Sequence, residues 1–158
     1  MALNYLRVED ISSDLSLTTY AVDDMVRQVI RKYAKIFISK KIKMNFKPTG
    51  RYIVTDDKWF VFVLEQFISN ALKYTKKGQI SIYMKEKSLV IEDTGIGIPA
   101  EDLPRIFEKG FTGYNGRENK KSTGIGLYLC KNIMDKLQWN ITVDSEVGSG
   151  TKIYLTKM

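Results

Sequence analysis

The sequence predicts an α+β two-layer sandwich, with helices on one face of a mixed, mostly antiparallel sheet. Three observations carry that reading. Apolar residues recur at helical spacing in three stretches, and apolar and polar residues alternate in short runs bounded by glycine, proline and charge. Nothing in the 158 residues reads as a linker between two domains, and a chain 44% hydrophobic and 27% charged has the apolar mass for one core.

Met1 to about Thr19 is irregular in pattern and reads as a lead-in from an upstream region. After it, Val22, Met25, Val26, Val29, Ile30, Tyr33 and Ile36 recur as one helical face, predicting a helix from about Tyr20 to Ser39. Ile42, Met44 and Phe46 alternate as a strand, Pro48 and Gly50 punctuate, and Tyr52 to Thr55 resumes as a second short strand. Asp56 can accept a hydrogen bond from a first-turn N–H, so it is the predicted N-cap of a long apolar helix reaching about Lys76. Ile80, Ile82 and Met84 alternate next, Glu86-Lys87-Ser88 turns, and Leu89 to Asp93 returns.

From Thr94 to Thr123 the chain is rich in glycine and charge, with one helical piece near Glu101 to Phe107; a loop of this length in a compact domain is usually functional or mobile. A further helix starts near Gly124 and carries Leu127, Cys130, Met134 and Leu137 on one face. Strands from Ile141 to Ser145 and from Thr151 to Thr156 flank the turn Gly148-Ser149-Gly150 and close the fold.

Composition excludes several functions. The longest apolar run, Trp59 to Leu64, is far short of the roughly 20 residues that span a bilayer. The N-terminus shows no secretory signal. With one cysteine and no histidine, the chain forms no internal disulfide and lacks the usual zinc sites and any histidine-based catalysis. Cys130, on the apolar face of its helix, reads as a small core residue. The net charge is +7, and the stretch Arg31 to Lys47 holds seven basic residues and no acid. Such a stretch can be a nucleic-acid or membrane footprint, or a solvated helix face running into a lysine-protected edge strand. Little aromatic interleaving favours single-strand stacking, so nucleic acid is not an expected partner.

Four places carry chemistry that packing alone does not require. On the long helix Gln66, Asn70, Lys73 and Tyr74 fall on one polar stripe, suited to a wet ligand face or simply to solvent. There an asparagine amide oxygen could serve a magnesium ion and a lysine one turn on could serve phosphates. The run Glu92-Asp93-Thr94-Gly95-Ile96-Gly97-Ile98-Pro99 ends a strand on an acid, which could accept from a purine amino group beside backbone made open by glycine; a turn explains it too. Thr123-Gly124-Ile125-Gly126-Leu127 leads into a helix whose free N–H groups would suit phosphates, although neither glycine pair has the spacing of a P-loop or dinucleotide fingerprint. In the loop, Phe107 and Phe111 lie beside Arg105 and Lys109, with Arg117, Lys120 and Lys121 following. The phenylalanines could anchor a closing loop or form a small satellite core.

The order of these weak signals makes them specific. Asparagine helix, DxGxG, paired phenylalanines, GxGL and a final GSGT follow one another across about 90 residues, and this arrangement resembles the catalytic ATP-binding domain of bacterial sensor histidine kinases, in the superfamily shared with gyrase B, Hsp90 and MutL. The resemblance covers the chain from about Val22. Thr55-Asp56-Asp57-Lys58-Trp59, with Gln66, is most similar to short-sensor kinases that respond to cell-envelope stress and peptide antibiotics.

The resemblance implies ATP and Mg2+ as cofactors. Asn70 would bind magnesium, Lys73 would contact phosphate and Tyr74 would lie beside the nucleotide; with Gln66, the first two would be the catalytic set. Asp93 would accept the adenine amino group, Gly95, Gly97 and Ile98 would shape the pocket, and Thr151 would support the same edge. Phe107 and Phe111 would open an ATP lid over about residues 98–123, with Thr123, Gly124, Ile125, Gly126 and Leu127 at its phosphate-side hinge. Lys109, Arg117, Lys120 and Lys121 are lid candidates for the γ-phosphate. Gln66 departs from the pattern, since many such kinases have asparagine there and the ATPase relatives a glutamate that activates water.

On this resemblance, residues 20–158 form the ATP-binding domain, excised from a parent held at the cytoplasmic face of the cell membrane. Its partners would be a dimerisation hairpin of the same parent that presents the phosphoacceptor histidine, then a response regulator, with a transporter or other membrane sensor as a further partner. Two readings from other classes explain less. An ATP-driven conformational module of the gyrase or Hsp90 type needs further domains, and a basic nucleic-acid-binding domain leaves the glycine motifs unused.

Overall fold

A computed structural model describes residues 15–111 and 125–158. Among these, seven strands and three α-helices follow in the order β1 (Thr18–Ala21), α1 (Val22–Lys40), β2 (Lys43–Phe46), β3 (Tyr52–Thr55), α2 (Asp57–Tyr74), β4 (Gln79–Lys85), β5 (Ser88–Asp93), α3 (Ile125–Leu137), β6 (Trp139–Glu146) and β7 (Gly150–Lys157). A single 3-10 turn, Leu103–Arg105, interrupts the segment after β5. The expected two-layer α+β sandwich is the observed fold. Five strands form one sheet in the order β2-β4-β5-β7-β6, parallel only between β2 and β4. The helices pack on one another and on the sheet, with α2 central. None of the described helices is long and apolar enough to cross a membrane.

The middle of the fold is α2 because its sequence is apolar nearly all round: Trp59, Phe60, Phe62, Val63, Leu64, Phe67, Ile68, Ala71 and Leu72 are all buried. Asp56 caps it as expected, with Oδ1 accepting from the Trp59 N–H at 3.1 Å. The other oxygen of the same carboxylate accepts from the Ser16 N–H at 2.8 Å, which ties the entering chain to the start of α2. At the far end the Lys40 ammonium donates to the Leu72 carbonyl, one of the acceptors a helix C-terminus leaves without an intrahelical partner.

The N-terminal boundary differs from the sequence expectation. Thr18–Ala21 is a strand, antiparallel to β3 in a two-stranded ribbon of its own, and the helix begins at Val22. The tetrapeptide TTYA has no apolar alternation, so its conformation comes from its partner strand and not from its own pattern. The other predicted elements stand within a few residues of their expected limits. The basic stretch divides between α1 and β2, an edge strand. Within it Lys32 pairs with Glu65 at 2.9 Å. Residues 1–14 of the expected lead-in, which was to reach about Thr19, and the candidates Arg117, Lys120, Lys121, Thr123 and Gly124 lie outside the described residues.

Candidate functional site

The site is assembled where the C-terminal end of α2 meets the end of β5. Tyr74 closes the helix, and its carbonyl oxygen accepts from the Ile96 N–H at 3.1 Å, so the DxGxG segment is hydrogen-bonded to the end of the polar stripe. Between them Gly95 approaches closely. A Cβ there would stand 2.5 Å from the Tyr74 carbonyl oxygen, 2.8 Å from Thr75 Oγ1 and 2.9 Å from Asp93 Oδ1, so only glycine fits.

Asp93 is the last residue of β5, opposite Thr151 of β7. Its Oδ1 accepts from the Gly95 N–H at 2.9 Å. Burial pushes its carboxyl pKa above the usual value and outweighs the opposing hydrogen bonds from the Gly95 and Thr151 backbones, while nearby Glu92 adds to the rise. A carboxylate so placed is short of solvent and gains from a further donor.

The β6–β7 turn forms the adjoining wall. Gly97 has φ +78°, and a Cβ on it would meet the Glu146 carbonyl at 2.2 Å; the Gly148 N–H donates to the Ile96 carbonyl at 2.9 Å. Ser145 Oγ accepts from the Ile98 N–H at 2.8 Å and lies 2.8 Å from Thr151 Oγ1. Ser145, Gly148 and Thr75 were missing from the sequence candidates. The GSGT motif pointed to the turn, but no local signal shows that a turn some fifty residues downstream packs on the DxGxG segment.

The polar stripe reaches the third motif through Gln66, whose Oε1 lies 2.3 Å from where a Cβ of Gly126 would stand. The first turn of α3 is therefore seated on α2, one helical turn from Asn70. Asn70, Lys73 and Tyr74 are half-buried along the same edge. Burial lowers the Lys73 pKa, and its ammonium lies 5.7 Å from the Tyr74 ring centre. Of the loop residues, Phe107 packs against the core and Phe111 lies under the Arg105 guanidinium, 4.5 Å from carbon to ring centre. The Lys109 ammonium stands 5.8 Å from the ring centre of Tyr128 on α3, and Leu127 beside it packs on the core. Cys130 is buried, and burial pushes its thiol pKa well above the usual value, which suits the core role and not a nucleophile.

Residues 55–157 match the family model described as histidine kinase-, DNA gyrase B-, and HSP90-like ATPase. The chain belongs to this ATPase family. Within the family its sequence is that of a sensor histidine kinase's catalytic, ATP-binding domain. The sensor histidine kinase YxdK of Bacillus subtilis is 35% identical, over 96% of this chain and 50% of that protein. The sensor protein kinase GraS of Staphylococcus aureus is 43% identical, over 94% of this chain and 44% of that protein. The chain thus spans about half the length of these curated relatives. The solved catalytic domain of the histidine kinase ThkA superimposes with a TM-score of 0.73 at 20% identity, over 90% of this chain and 95% of that one, and shares the fold.

Proposed function

We propose that this ATPase-family domain binds ATP with its adenine on Asp93 and donates the γ-phosphoryl group to a histidine on a separate dimerisation hairpin of the same parent, for onward transfer to a response regulator. The observation that carries the reading is Asp93: a carboxylate in a desolvated corner, fixed by Gly95 and Thr151, at the end of the Asn70–Lys73–Tyr74 stripe. Glycine at position 95 is what lets the Asp93 carboxylate and the end of α2 come this close, since a Cβ there would collide with Asp93 Oδ1 and the Tyr74 carbonyl.

Asn70 would hold the magnesium ion, which when bound neutralises charge on the phosphates. Among the described residues no three acidic or cysteine side chains gather to hold a metal, so such an ion would take most of its ligands from phosphate and water. Lys73 would orient the phosphates as a point charge, Lys109 and the basic residues that follow would reach the γ-phosphate, and the α3 N-terminus beside Gln66 would offer backbone N–H groups. The protein's part in transfer is positioning and charge stabilisation. The 158 residues contain no histidine, so the acceptor is outside them. The GraS and YxdK matches support a sensor-kinase parent; on the resemblance to the envelope-stress subgroup, that parent would sit at the cytoplasmic membrane face with a transporter or membrane sensor as partner.

Incubating the chain with labelled ATP, magnesium and the hairpin of its parent tests this: label is expected on the hairpin alone, and acid-labile label on the chain, or none on the hairpin, counts against it. Gln66 cannot take a proton from water, so bound ATP is expected to hydrolyse slowly. General-base assistance is worth roughly 10²–10⁴-fold, and Gln66→Glu is expected to raise phosphate release toward that range in a coupled phosphate assay. Brisk wild-type turnover abolished by Glu65→Gln would favour the ATP-driven module instead.

A further inference from the structure

Along one border of the molecule the C-terminal half of α1 and the edge strand β2 leave an apolar groove open. It holds about 430 Å³ and is lined by Ile30, Ala34, Phe37 and Ile38 on α1 and by Ile42 and Met44 after it. Ile38 is 77% exposed, a large apolar side chain that no described part of the chain covers. β2 itself is paired on one side only, with β4. Lys43 and Lys47 donate their N–H groups inward, to the Gly78 and Ile82 carbonyls at 3.1 and 3.0 Å. Backbone groups alternate in direction along a strand, so those of Met44 and Phe46 face outward, where an extended segment can add to the sheet.

The charge around the groove selects its occupant. Seven basic residues and no acid lie between Arg31 and Lys47. Lys32 is paired with Glu65 and Lys40 is bonded to Leu72, but Arg31, Lys35, Lys41, Lys43 and Lys47 have no ion pair among the described residues. A second copy of the chain would set like charges against one another along two β2 edges, which is how lysines prevent edge-to-edge pairing. A lipid surface has no use for a concave apolar face beside open backbone donors. We propose that the α1–β2 groove docks an extended acidic segment of a partner protein, which adds to the β2 edge, seats an apolar side chain against Ile38 and sets its carboxylates among Lys41, Lys43 and Lys47. Backbone bonds and the apolar anchor supply affinity, and the unpaired lysines supply the choice of an acidic partner. None of these residues belongs to the nucleotide site, so the proposal stands apart from the reading of Asp93.

The test is a selection of short random peptides displayed on phage against the full 158-residue chain, with Ile38→Glu as the counter-target. Ile38 faces solvent, so this variant is expected to keep the fold, which a urea melt checks; Ile38→Ser takes its place if it does not. Retained sequences are expected to be rich in Asp and Glu around one or two apolar residues. A synthetic copy of the leading sequence is expected to bind wild type at least about tenfold more tightly than Ile38→Glu, the worth of one buried aliphatic side chain. Replacing both exposed lysines, Lys43→Ala with Lys47→Ala, is expected to weaken binding about two- to tenfold and to flatten its dependence on salt. Retention of neutral or basic sequences, equal binding to Ile38→Glu, or no enrichment over the counter-target overturns the proposal. Sedimentation of the chain with phosphatidylglycerol vesicles, or its self-association without peptide, overturns it too if either is lost in Ile38→Glu, since the groove then belongs to lipid or to a second copy.

Discussion

Asp23 and Asp93 are two partly shielded carboxylates, one in the first turn of α1 and one at the end of β5, and their pKa values move in opposite directions. Asp23, in the first turn of α1, accepts from the Thr49 N–H, the Thr49 hydroxyl and the Gly50 N–H at 2.7–3.1 Å. Burial pushes its pKa up, but these donors, with Arg27 nearby, outweigh it and leave the group below its usual value. Asp93 is held by fewer bonds, and burial wins. The first carboxylate is saturated by the protein and fastens the β2–β3 connection to α1. The second is left wanting a donor, as suits a group that meets a ligand. Counting buried acids would not separate them; counting what already pairs with each does.

The largest expected break in this contrast is Asp93→Asn. It sets an amide donor against the adenine amino group, and an unpaired buried group costs about 1–3 kcal/mol, so ATP affinity should fall about tenfold or more. Stability should change little, since the amide oxygen can still accept from Gly95. Calorimetry and a urea melt on the same sample check both halves, and an unfolded variant or unchanged affinity would show that Asp93 serves the scaffold.

Asp23→Ala should do the reverse, lowering stability by about 1–2 kcal/mol while leaving ATP affinity unchanged, because the stranded donors at Thr49 and Gly50 can partly turn to water. A smaller effect sharpens the contrast through pH. A lowered folded pKa means that Asp23 contributes stability fully above its unfolded value near 4, and that this is lost as pH falls through the folded value. A raised one means that Asp93 favours the folded state below its unfolded value, and that this contribution is lost as pH rises through the folded value. Urea melts from about pH 3 to about pH 7 should therefore show the stability gap between wild type and Asp23→Asn widening with pH, and the gap for Asp93→Asn moving the other way.

What was legible in the sequence follows the same line between local and assembled structure. The cap at Asp56, the apolarity of α2 and the polar stripe from Gln66 to Tyr74 depend on spacing along one helix, and they stand as expected. The strand at Thr18–Ala21 was not legible, because its exposed threonines gain their conformation from β3. Nor was the parallel pairing of β2 with β4, which joins strands separated by α2. In the site, DxGxG announced Asp93 and its glycines. Ser145 and Thr75 stayed hidden, because a lone hydroxyl carries no pattern until the chain brings it against Ile98 or Gly95.

Titrating the chain with ATP and with GTP, magnesium present, tests the central claim most directly. The 6-oxo group of guanine would face the acceptor-only carboxylate of Asp93, so ATP is expected to bind with GTP at least about tenfold weaker, a gap that Asp93→Asn narrows. Equal binding of the two nucleotides by the wild-type domain would contradict the assignment of Asp93 as the residue that reads the base.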